Sequence, residues 1–317
     1  MKAYDIHPDF LKYRHLRISL NPWLLPVMNR FLTRVFYGMP LPEGLEETGH
    51  RIPGFQGADI RLAVLRPKGH DAALPTLVYL HGGAFAVQAA PFHKRLLCAY
   101  ARSTPCQVVF VDYRLLPAAS FPVGLEDCCA AYRWVVAHAD TLKADPARIA
   151  IGGDSAGGTL AIGVCLLARE RSLPMPCFQL LVYPGCDARN NSASMREFTD
   201  VPLWNSRMHA RIGKMYYKQG MHMKREIISP VEAETLAGLP PAYVEVAEYD
   251  CLRDEGIAYA ETLRRDGIAA ELHQPRRTIH GFEIAEGNEI VRRSVARRIQ
   301  ALQAAFAPAI VPPEKET

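Results

Sequence analysis

The chain has 317 residues and a formal net charge of +4, from 37 lysines and arginines against 33 aspartates and glutamates. With 49% hydrophobic and 22% charged residues, the composition is that of a soluble globular protein and excludes a disordered chain, a collagen-like repeat and a disulfide-stabilised miniprotein. The charge excess is small and the basic residues are scattered, so the sequence predicts no nucleic-acid partner.

The first 50 residues are predicted to form two or three short amphipathic helices. Apolar residues recur at helical spacing in two stretches, 11–20 and 24–36. Pro22 lies between these stretches and Pro26 lies near the start of the second, as expected where short helices begin and end.

From residue 60 onward, short apolar runs alternate with stretches of helical periodicity. Predicted strands, recognised by β-branched residues or by alternation, lie at 60–65, 76–80, 107–111, 148–151, 178–182, 243–247 and 270–274. Predicted helices lie at 124–138, 159–170, 255–265 and 288–305. This alternation predicts an α/β fold with a mostly parallel sheet wrapped by helices.

Residues 190–238 interrupt the alternation, because they contain no convincing strand and are rich in large apolar residues. We predict that they form a helical insertion, which packs with the N-terminal helices as a cap. The predicted organisation is a core of residues 51–189 and 239–317, N-terminal cap helices at 1–50 and a cap insertion at 190–238.

The sharpest motif is Gly153-Asp154-Ser155-Ala156-Gly157, which follows one predicted strand and opens a predicted helix. It matches G-x-S-x-G, in which a tight strand-to-helix turn exposes the serine hydroxyl. The positive end of the helix dipole would stabilise negative charge that develops beside Ser155. A phosphate-binding loop is disfavoured, because the lysine that such a loop requires is missing.

A second glycine-rich loop, His81-Gly82-Gly83-Ala84-Phe85, follows the predicted strand 76–80. Backbone N–H groups of Gly82, Gly83 and Ala84 could converge with that of Ala156 on one point. These four residues are therefore predicted to form an oxyanion hole. Both loops follow parallel strands, and ligand crevices of open α/β sheets lie at that edge.

These two loops resemble those of the hormone-sensitive-lipase-like group (bacterial family IV) of α/β-hydrolase esterases. Two further stretches match the family in the same order, D-Y-R-L-L-P…F-P at 112–122 and Y-D-C-L-R-D-E-G at 249–256. Two departures are Ala84 in place of a third glycine and Ala118 in place of an acidic residue. The resemblance implies an α/β-hydrolase fold with a helical cap, activity on small short-acyl esters and no cofactor.

A nucleophilic serine needs a histidine base, and the base needs an orienting carboxylate. In this fold the chain order is serine, acid, histidine. His222 falls in the predicted cap and His273 in a predicted strand, where a structural role is expected. His280 follows that strand in Ile279-His280-Gly281-Phe282, the family's H-G-F, and is the predicted base.

The predicted acid is Asp250, which lies in the turn three residues beyond the strand at 243–247. Asp254 is the competitor, but it directly precedes the predicted helix at 255–265, where an aspartate is an ordinary N-cap. Asp154 is expected to support the turn that carries the serine.

Other side chains near the two loops are given supporting roles. His81 has no second ligand at i+2 or i+4, so we expect it to position the glycine-rich loop and expect no metal. Phe85, Trp204 and Met208 are predicted substrate contacts, because they would form a confined apolar pocket.

The sequence thus predicts a serine carboxylic-ester hydrolase, and two other functions stay open. Some formamidases share an H-G-G-x-[WY] loop, which makes an aryl formamidase or amidase on the same scaffold the first alternative. A non-catalytic receptor that binds a small molecule under the cap is the second. Retention of His280 argues against such a receptor.

The eight cysteines include no C-x-x-C pair and are predicted to be free, mostly buried thiols of a reducing compartment. Asp5 and Asp9 make the N-terminus unlike a signal peptide. We therefore expect a cytoplasmic protein whose partner is a small-molecule ester, without stable membrane anchoring. Whether it forms a homodimer is left open.

Overall fold

An eight-stranded sheet forms the centre of the computed structural model, which describes residues 4–16, 20–218 and 225–308. The strands are β1 (Leu45–Pro53), β2 (Asp59–Pro67), β3 (Leu74–Leu80), β4 (Gln107–Asp112), β5 (Ala144–Asp154), β6 (Gln179–Val182), β7 (Ala242–Glu245) and β8 (Ala270–His273). Their order is β1-β2-β4-β3-β5-β6-β7-β8. β2 is antiparallel to both neighbours, and the strands from β4 to β8 are parallel. The predicted α/β fold with a mostly parallel sheet is confirmed.

Helices cover both faces of this sheet in the described ranges. They are α1 (Pro8–Leu11), α2 (Leu25–Gly38), α3 (Pro91–Ser103), α4 (Val123–Ala137), α5 (Ala139–Leu142), α6 (Ala156–Glu170), α7 (Ala193–Glu197), α8 (Ser206–Tyr216), α9 (Arg225–Ile228), α10 (Arg253–Arg265) and α11 (Glu289–Phe306). Apolar residues of α3 and α11 pack on one face, and those of α4, α6 and α10 pack on the other. All seven residues of β3 are buried, as expected for a central parallel strand.

Two elements differ from the sequence-based prediction. β1 begins at Leu45, inside the range 1–50 that was predicted to hold only helices. It is an edge strand in which only Leu45 and Ile52 are buried, so it lacks the apolar alternation that marks a strand. Helix α3 was not predicted, although its proline at the first turn and its buried apolar residues at helical spacing are typical helix signals.

The part of 190–238 that the structure describes contains three helices, α7 to α9, and no strand. His222 falls within 219–224, outside the described residues. The N-terminal segment meets this insertion, since the Tyr4 and Phe198 ring centroids are 5.6 Å apart and Tyr4 donates to the carbonyl oxygen of Glu197 at 3.2 Å. Whether the two parts act together as a cap stays a prediction.

All eight cysteines are free, and Cys177 alone among them is partly exposed. The predicted free, mostly buried thiols are therefore confirmed. None of the helices within 4–16, 20–218 and 225–308 has the length and apolar character that a membrane crossing needs.

A fully buried arginine joins helix α11 to the sheet. Arg298 forms ion pairs with Glu245 at the end of β7 and with Glu283 in the loop after β8. Burial by itself raises the pKa of the Glu245 carboxyl, but the charge of Arg298 and hydrogen bonds from His273 and Arg298 outweigh it and lower that pKa to about 2. His273 at the end of β8 thus has a structural partner.

Replacing Arg298 by methionine is expected to lower the free energy of unfolding by about 3 to 5 kcal/mol at neutral pH, because two buried carboxylates lose their partner. The pKa of Glu245 is lowered in the fold, so its stabilising contribution is present above about pH 4.5 and is lost as the pH falls toward 2. The difference between the two proteins should therefore shrink in acid. Urea unfolding at several pH values measures it.

The matched control is Arg297→Met, one position along the same helix and exposed. We expect it to change the free energy of unfolding by no more than about 0.5 kcal/mol. An equal loss of unfolding free energy in both variants would show that methionine in this part of α11 is itself destabilising. The ion pairs of Arg298 would then not be the cause of the loss.

Candidate active site

The serine of the G-x-S-x-G motif lies on the turn between β5 and α6. β5 ends at Asp154, α6 begins at Ala156, and Ser155 between them has φ 53° and ψ −122°. This backbone conformation is rare for a residue with a side chain. A Cβ at Gly153 or Gly157 would collide with the carbonyl oxygen of Leu80 on β3, so both glycines are required by close packing.

A histidine and an aspartate from two different loops reach this serine. His280 Nε2 lies 2.8 Å from Ser155 Oγ, and His280 Nδ1 lies 2.7 Å from Asp250 Oδ2. The other carboxylate oxygen of Asp250 accepts the backbone N–H of Leu252 at 2.9 Å. Asp250 is fully buried, and Ser155 and His280 keep only 8% and 7% of their surfaces exposed. The three predicted residues are thus brought together in the geometry that a nucleophile, a base and an orienting acid require.

The competitor Asp254 does not reach His280, and its predicted role as an N-cap is wrong. The N-cap of α10 is Leu252, and Asp254 lies inside the first turn. Its carboxylate accepts the backbone N–H of Ser194 at 2.7 Å, while Ser194 Oγ accepts the N–H of Asp254 at 3.2 Å. Asp254 therefore ties the start of α10 to the start of α7.

Three of the four predicted oxyanion donors have free N–H groups. Within the described residues, the backbone N–H groups of Gly83, Ala84 and Ala156 donate to no protein acceptor. The prediction that Gly82 is an oxyanion donor is corrected, because its N–H already donates to Asp154 Oδ1 at 3.0 Å. Ala84 adopts φ 56°, so the loop keeps its shape with a methyl group where the family has glycine.

Asp154, which was expected to support the serine turn, links that turn to the glycine-rich loop through Gly82. Besides Gly82, its carboxylate is bonded by the hydroxyl of Tyr79 at 2.9 Å and by His93 Nε2 at 3.2 Å. Burial raises the pKa of this carboxyl, but the charge of His93 and these hydrogen bonds outweigh burial and lower the pKa to about 2. Asp154 is therefore ionised near neutral pH, where it fixes the loop.

His81 is buried at the base of the same loop. Its Nδ1 lies 2.6 Å from the carbonyl oxygen of Gly82, and its ring stacks on Tyr113 with centroids 4.6 Å apart. Burial, with the nearby charge of His93, lowers the pKa of His81 to about 4, so the ring is neutral near pH 7. This environment fits the predicted positioning role. Across the described ranges, no three His, Cys, Asp or Glu residues are grouped to hold a metal ion.

A cavity of about 220 Å³ opens over Ser155. Of the predicted substrate contacts only Trp204 lines it. Phe85 instead stacks on Tyr216, with centroids 3.9 Å apart, and lines a neighbouring cleft. Met208 lines another groove on the far side of Leu203. The predicted contacts Phe85 and Met208 are therefore corrected.

Most of the cavity wall was not predicted from the sequence. Its apolar surfaces come from the N-terminal segment, the insertion, the start of α3 and the segments after β3, β6 and β8. The residues are Leu16, Val87, Phe92, Tyr183, Leu203 and Ile284. Tyr183 has a readable signal, because it directly follows β6 at the same sheet edge as the serine. Its ring centroid is 4.4 Å from that of His280, and its hydroxyl donates to Glu283 at 2.6 Å.

Comparisons with known proteins agree on one family. A model of the alpha/beta hydrolase fold matches residues 77–284. Esterase LipI of Mycobacterium tuberculosis is 33% identical over 283 residues, which cover 83% of this chain and 88% of LipI. Ethyl acetate hydrolase of Pseudomonas putida is 33% identical over 241 residues, which cover 74% of this chain and 72% of that protein.

Solved structures give the same result. A bacterial heroin esterase superposes with a TM-score of 0.85 at 30% identity, covering 96% of this chain and 99% of the other. Esterase LipW from Mycobacterium marinum superposes with a TM-score of 0.87 at 30% identity, covering 96% and 97%. The chain belongs to the α/β-hydrolase fold family. The relatives and structures named above are esterases, and the chain is an esterase-type hydrolase, as the sequence motifs predicted.

Proposed function

We propose that the protein is a serine carboxylesterase that acts on small, short-acyl esters through Ser155, His280 and Asp250. The observation that carries the proposal is the pair of contacts at 2.8 Å and 2.7 Å that links the three side chains in order. In the first step Ser155 Oγ attacks the acyl carbonyl carbon while its proton passes to His280 Nε2. Asp250 holds the imidazole in the required tautomer and stabilises the imidazolium.

The negative oxygen of the tetrahedral intermediate would accept hydrogen bonds from the N–H groups of Gly83, Ala84 and Ala156. Collapse of the intermediate breaks the bond to the alkoxy oxygen, which takes the proton from His280 and leaves as the alcohol. A water molecule then attacks the acyl group, with His280 again accepting the proton. The carboxylic acid is released and the serine hydroxyl is restored.

An active-site label separates this function from the alternatives. A fluorophosphonate probe should modify Ser155, identified by mass spectrometry, and p-nitrophenyl acetate should be hydrolysed faster than an aryl formamide. Turnover of the formamide above that of the ester would favour the formamidase, and absence of both would favour a receptor. The named relatives are esterases, which does not favour the formamidase. The cytoplasm stays the proposed compartment.

Substrate size follows from the cavity. About 220 Å³ is smaller than the 300–1,000 Å³ common for drug-sized ligands, and one relative is named an ethyl acetate hydrolase. We expect kcat/KM for p-nitrophenyl esters to peak at acyl chains of about two to six carbons and to fall steeply beyond about eight. Each methylene that fits contributes about 0.8 kcal/mol, whereas overpacking costs more.

Two alanine variants test the role of the cavity wall. Leu203→Ala enlarges the cavity and should move the optimum to longer acyl chains. Met208→Ala is the matched control from the same insertion, and it should leave the optimum in place because Met208 lies outside the cavity. A wild-type maximum at long acyl chains would contradict the proposed preference.

A further inference from the structure

Exposed apolar side chains are concentrated in one short segment of the chain. In the described ranges, every large hydrophobic residue that is exposed lies between residues 16 and 31, and the set is Leu16, Trp23, Leu24, Val27 and Phe31. Trp23 is 87% exposed and Val27 is 71% exposed. Scattered exposed apolar residues need no explanation, but a contiguous patch marks an interaction surface.

Helix α2 is apolar on two opposite sides. Leu25 and Phe36 are buried against the protein. Val27 and Phe31 point outward one turn apart, and Trp23 precedes them by another turn. A surface helix ordinarily has its apolar residues on the buried side and polar residues on the outward side. Packing within the described part of the protein therefore does not explain the apolar residues on the outward side of α2.

Two arginines share the outward side with these apolar residues. Arg30 and Arg34 follow Val27 at i+3 and i+7, on the same face of the helix, and both are exposed. Helix α2 has no acidic residue at all. Arginine side chains lay their apolar stems along neighbouring apolar residues and keep the guanidinium group in water, and basic residues beside an apolar surface are attracted to anionic lipid. We call Trp23, Leu24, Val27, Arg30, Phe31 and Arg34 the α2 face.

The end of the chain that holds the α2 face is basic. The first 40 residues contain six basic and two acidic residues, a net charge of +4, and the remaining 277 residues are balanced. The part of the chain that includes the α2 face is therefore basic, as is the stretch 201–225, which contains six basic and no acidic residues. The partner that fits is therefore apolar and negatively charged.

Helix α2 is also bonded to the loop that carries the oxyanion donors. The Asn29 side chain donates to the carbonyl oxygen of Ala86 at 2.7 Å and accepts the N–H of Gln88 at 3.0 Å. Leu16, one of the exposed apolar residues between 16 and 31, lines the cavity over Ser155. A surface that covers α2 would thus lie beside the mouth of the cavity.

We propose that the α2 face is a docking surface for an anionic lipid surface, which places the mouth of the Ser155 cavity next to esters dissolved in the lipid. The apolar side chains would enter the interface while Arg30 and Arg34 contact lipid phosphates. A second copy of the chain fits less well, because a symmetric pair would bring two segments of net charge +4 together. The docking is peripheral and reversible, since one short helix buries little apolar area.

Vesicle flotation of the full chain tests the proposal without reference to turnover. The protein should float with vesicles of phosphatidylcholine mixed with phosphatidylglycerol, not with vesicles of phosphatidylcholine alone, and high salt should release it. Trp23 is the exposed one of the three tryptophans, whereas Trp134 is partly buried and Trp204 is 5% exposed. Anionic vesicles should therefore shift tryptophan emission to the blue, and Trp23→Phe should remove that shift.

Paired substitutions show whether the α2 face is responsible. Arg30→Gln with Arg34→Gln should weaken partitioning on the order of 30-fold, from about 1 kcal/mol for each basic residue near an anionic surface. Arg293→Gln with Arg297→Gln is the matched control, with the same charge change and spacing on exposed positions of α11. It should bind as the wild type does.

Three outcomes would overturn the proposal. The first is equal binding to both vesicle compositions or to neither. The second is an equal loss in the two arginine pairs, which would assign binding to net charge alone. The third is a dimer that Val27→Ser with Phe31→Ser converts to monomers in sedimentation velocity, because a second copy would then cover the face. Hydrolysis of a water-soluble ester checks that each variant is folded.

Discussion

Replacing Ser155 by alanine is expected to lower kcat/KM for p-nitrophenyl acetate by about 10⁴ to 10⁶, because the variant loses the nucleophile. His280 Nε2 then faces a methyl group instead of the hydroxyl that lies 2.8 Å away. The fold should persist. Serine already places a Cβ on this turn at φ 53° and ψ −122°, so alanine adds no atom that the turn does not already hold.

The matched control is Ser103→Ala, an exposed serine at the end of α3. It leads into the start of β4, at the opposite edge of the sheet from Ser155, and should change neither turnover nor the melting temperature. Initial rates and thermal unfolding of the purified proteins measure both quantities. If Ser155→Ala keeps more than about a tenth of the activity, another residue is the nucleophile.

The parts of the site that the sequence predicted depend on local geometry. Ser155, Asp250 and His280 each follow a strand of the parallel sheet directly or after a short turn. Strand order does not need to be known to place them, because the carboxyl ends of parallel strands share one edge. A short motif and the strand before it were therefore sufficient to predict that these three side chains meet.

The parts that the sequence did not predict depend on partners distant in the chain. The N–H of Gly82 is taken by Asp154, which is 72 residues away, and His93 reaches the same carboxylate from α3. Phe85 follows the oxyanion loop in sequence, yet its ring turns away to stack on Tyr216 of α8. Which side chain lines a cavity is decided by packing between separate elements, and periodicity carries no information about that packing.

The role of Asp254 was also mispredicted, because the start of helix α10 was placed two residues too late. An aspartate just before a helix predicts an N-cap, but α10 starts at Arg253 and includes Asp254. The carboxylate is then free to bond Ser194 at the start of α7. The sequence correctly predicted that Asp250, and not Asp254, contacts His280. It did not predict that Asp254 bonds to Ser194.

The two aspartates should consequently respond differently to the same substitution. Asp250→Asn is expected to lower kcat by about 10² to 10⁴ with little change in melting temperature. Asparagine can still accept the N–H of Leu252, which lies 2.9 Å from Asp250 Oδ1. Its amide group, however, donates toward His280 Nδ1 and so places the ring proton on Nε2. In that tautomer the imidazole cannot take the proton of Ser155.

Asp254→Asn should leave kcat nearly unchanged, because the amide oxygen can still accept the N–H of Ser194. Asp254→Ala removes that acceptor and leaves the N–H of the buried Ser194 unpaired, which should cost about 1 to 2 kcal/mol of stability. Measuring kcat and the melting temperature for all three variants separates the roles. A loss of turnover in Asp254→Asn, with Asp250→Asn still active, would show that the wrong carboxylate has been assigned to the histidine. Asp254 lies four residues beyond Asp250. For Asp254 to orient the histidine, His280 would have to give up its contact of 2.7 Å with Asp250 in the working enzyme.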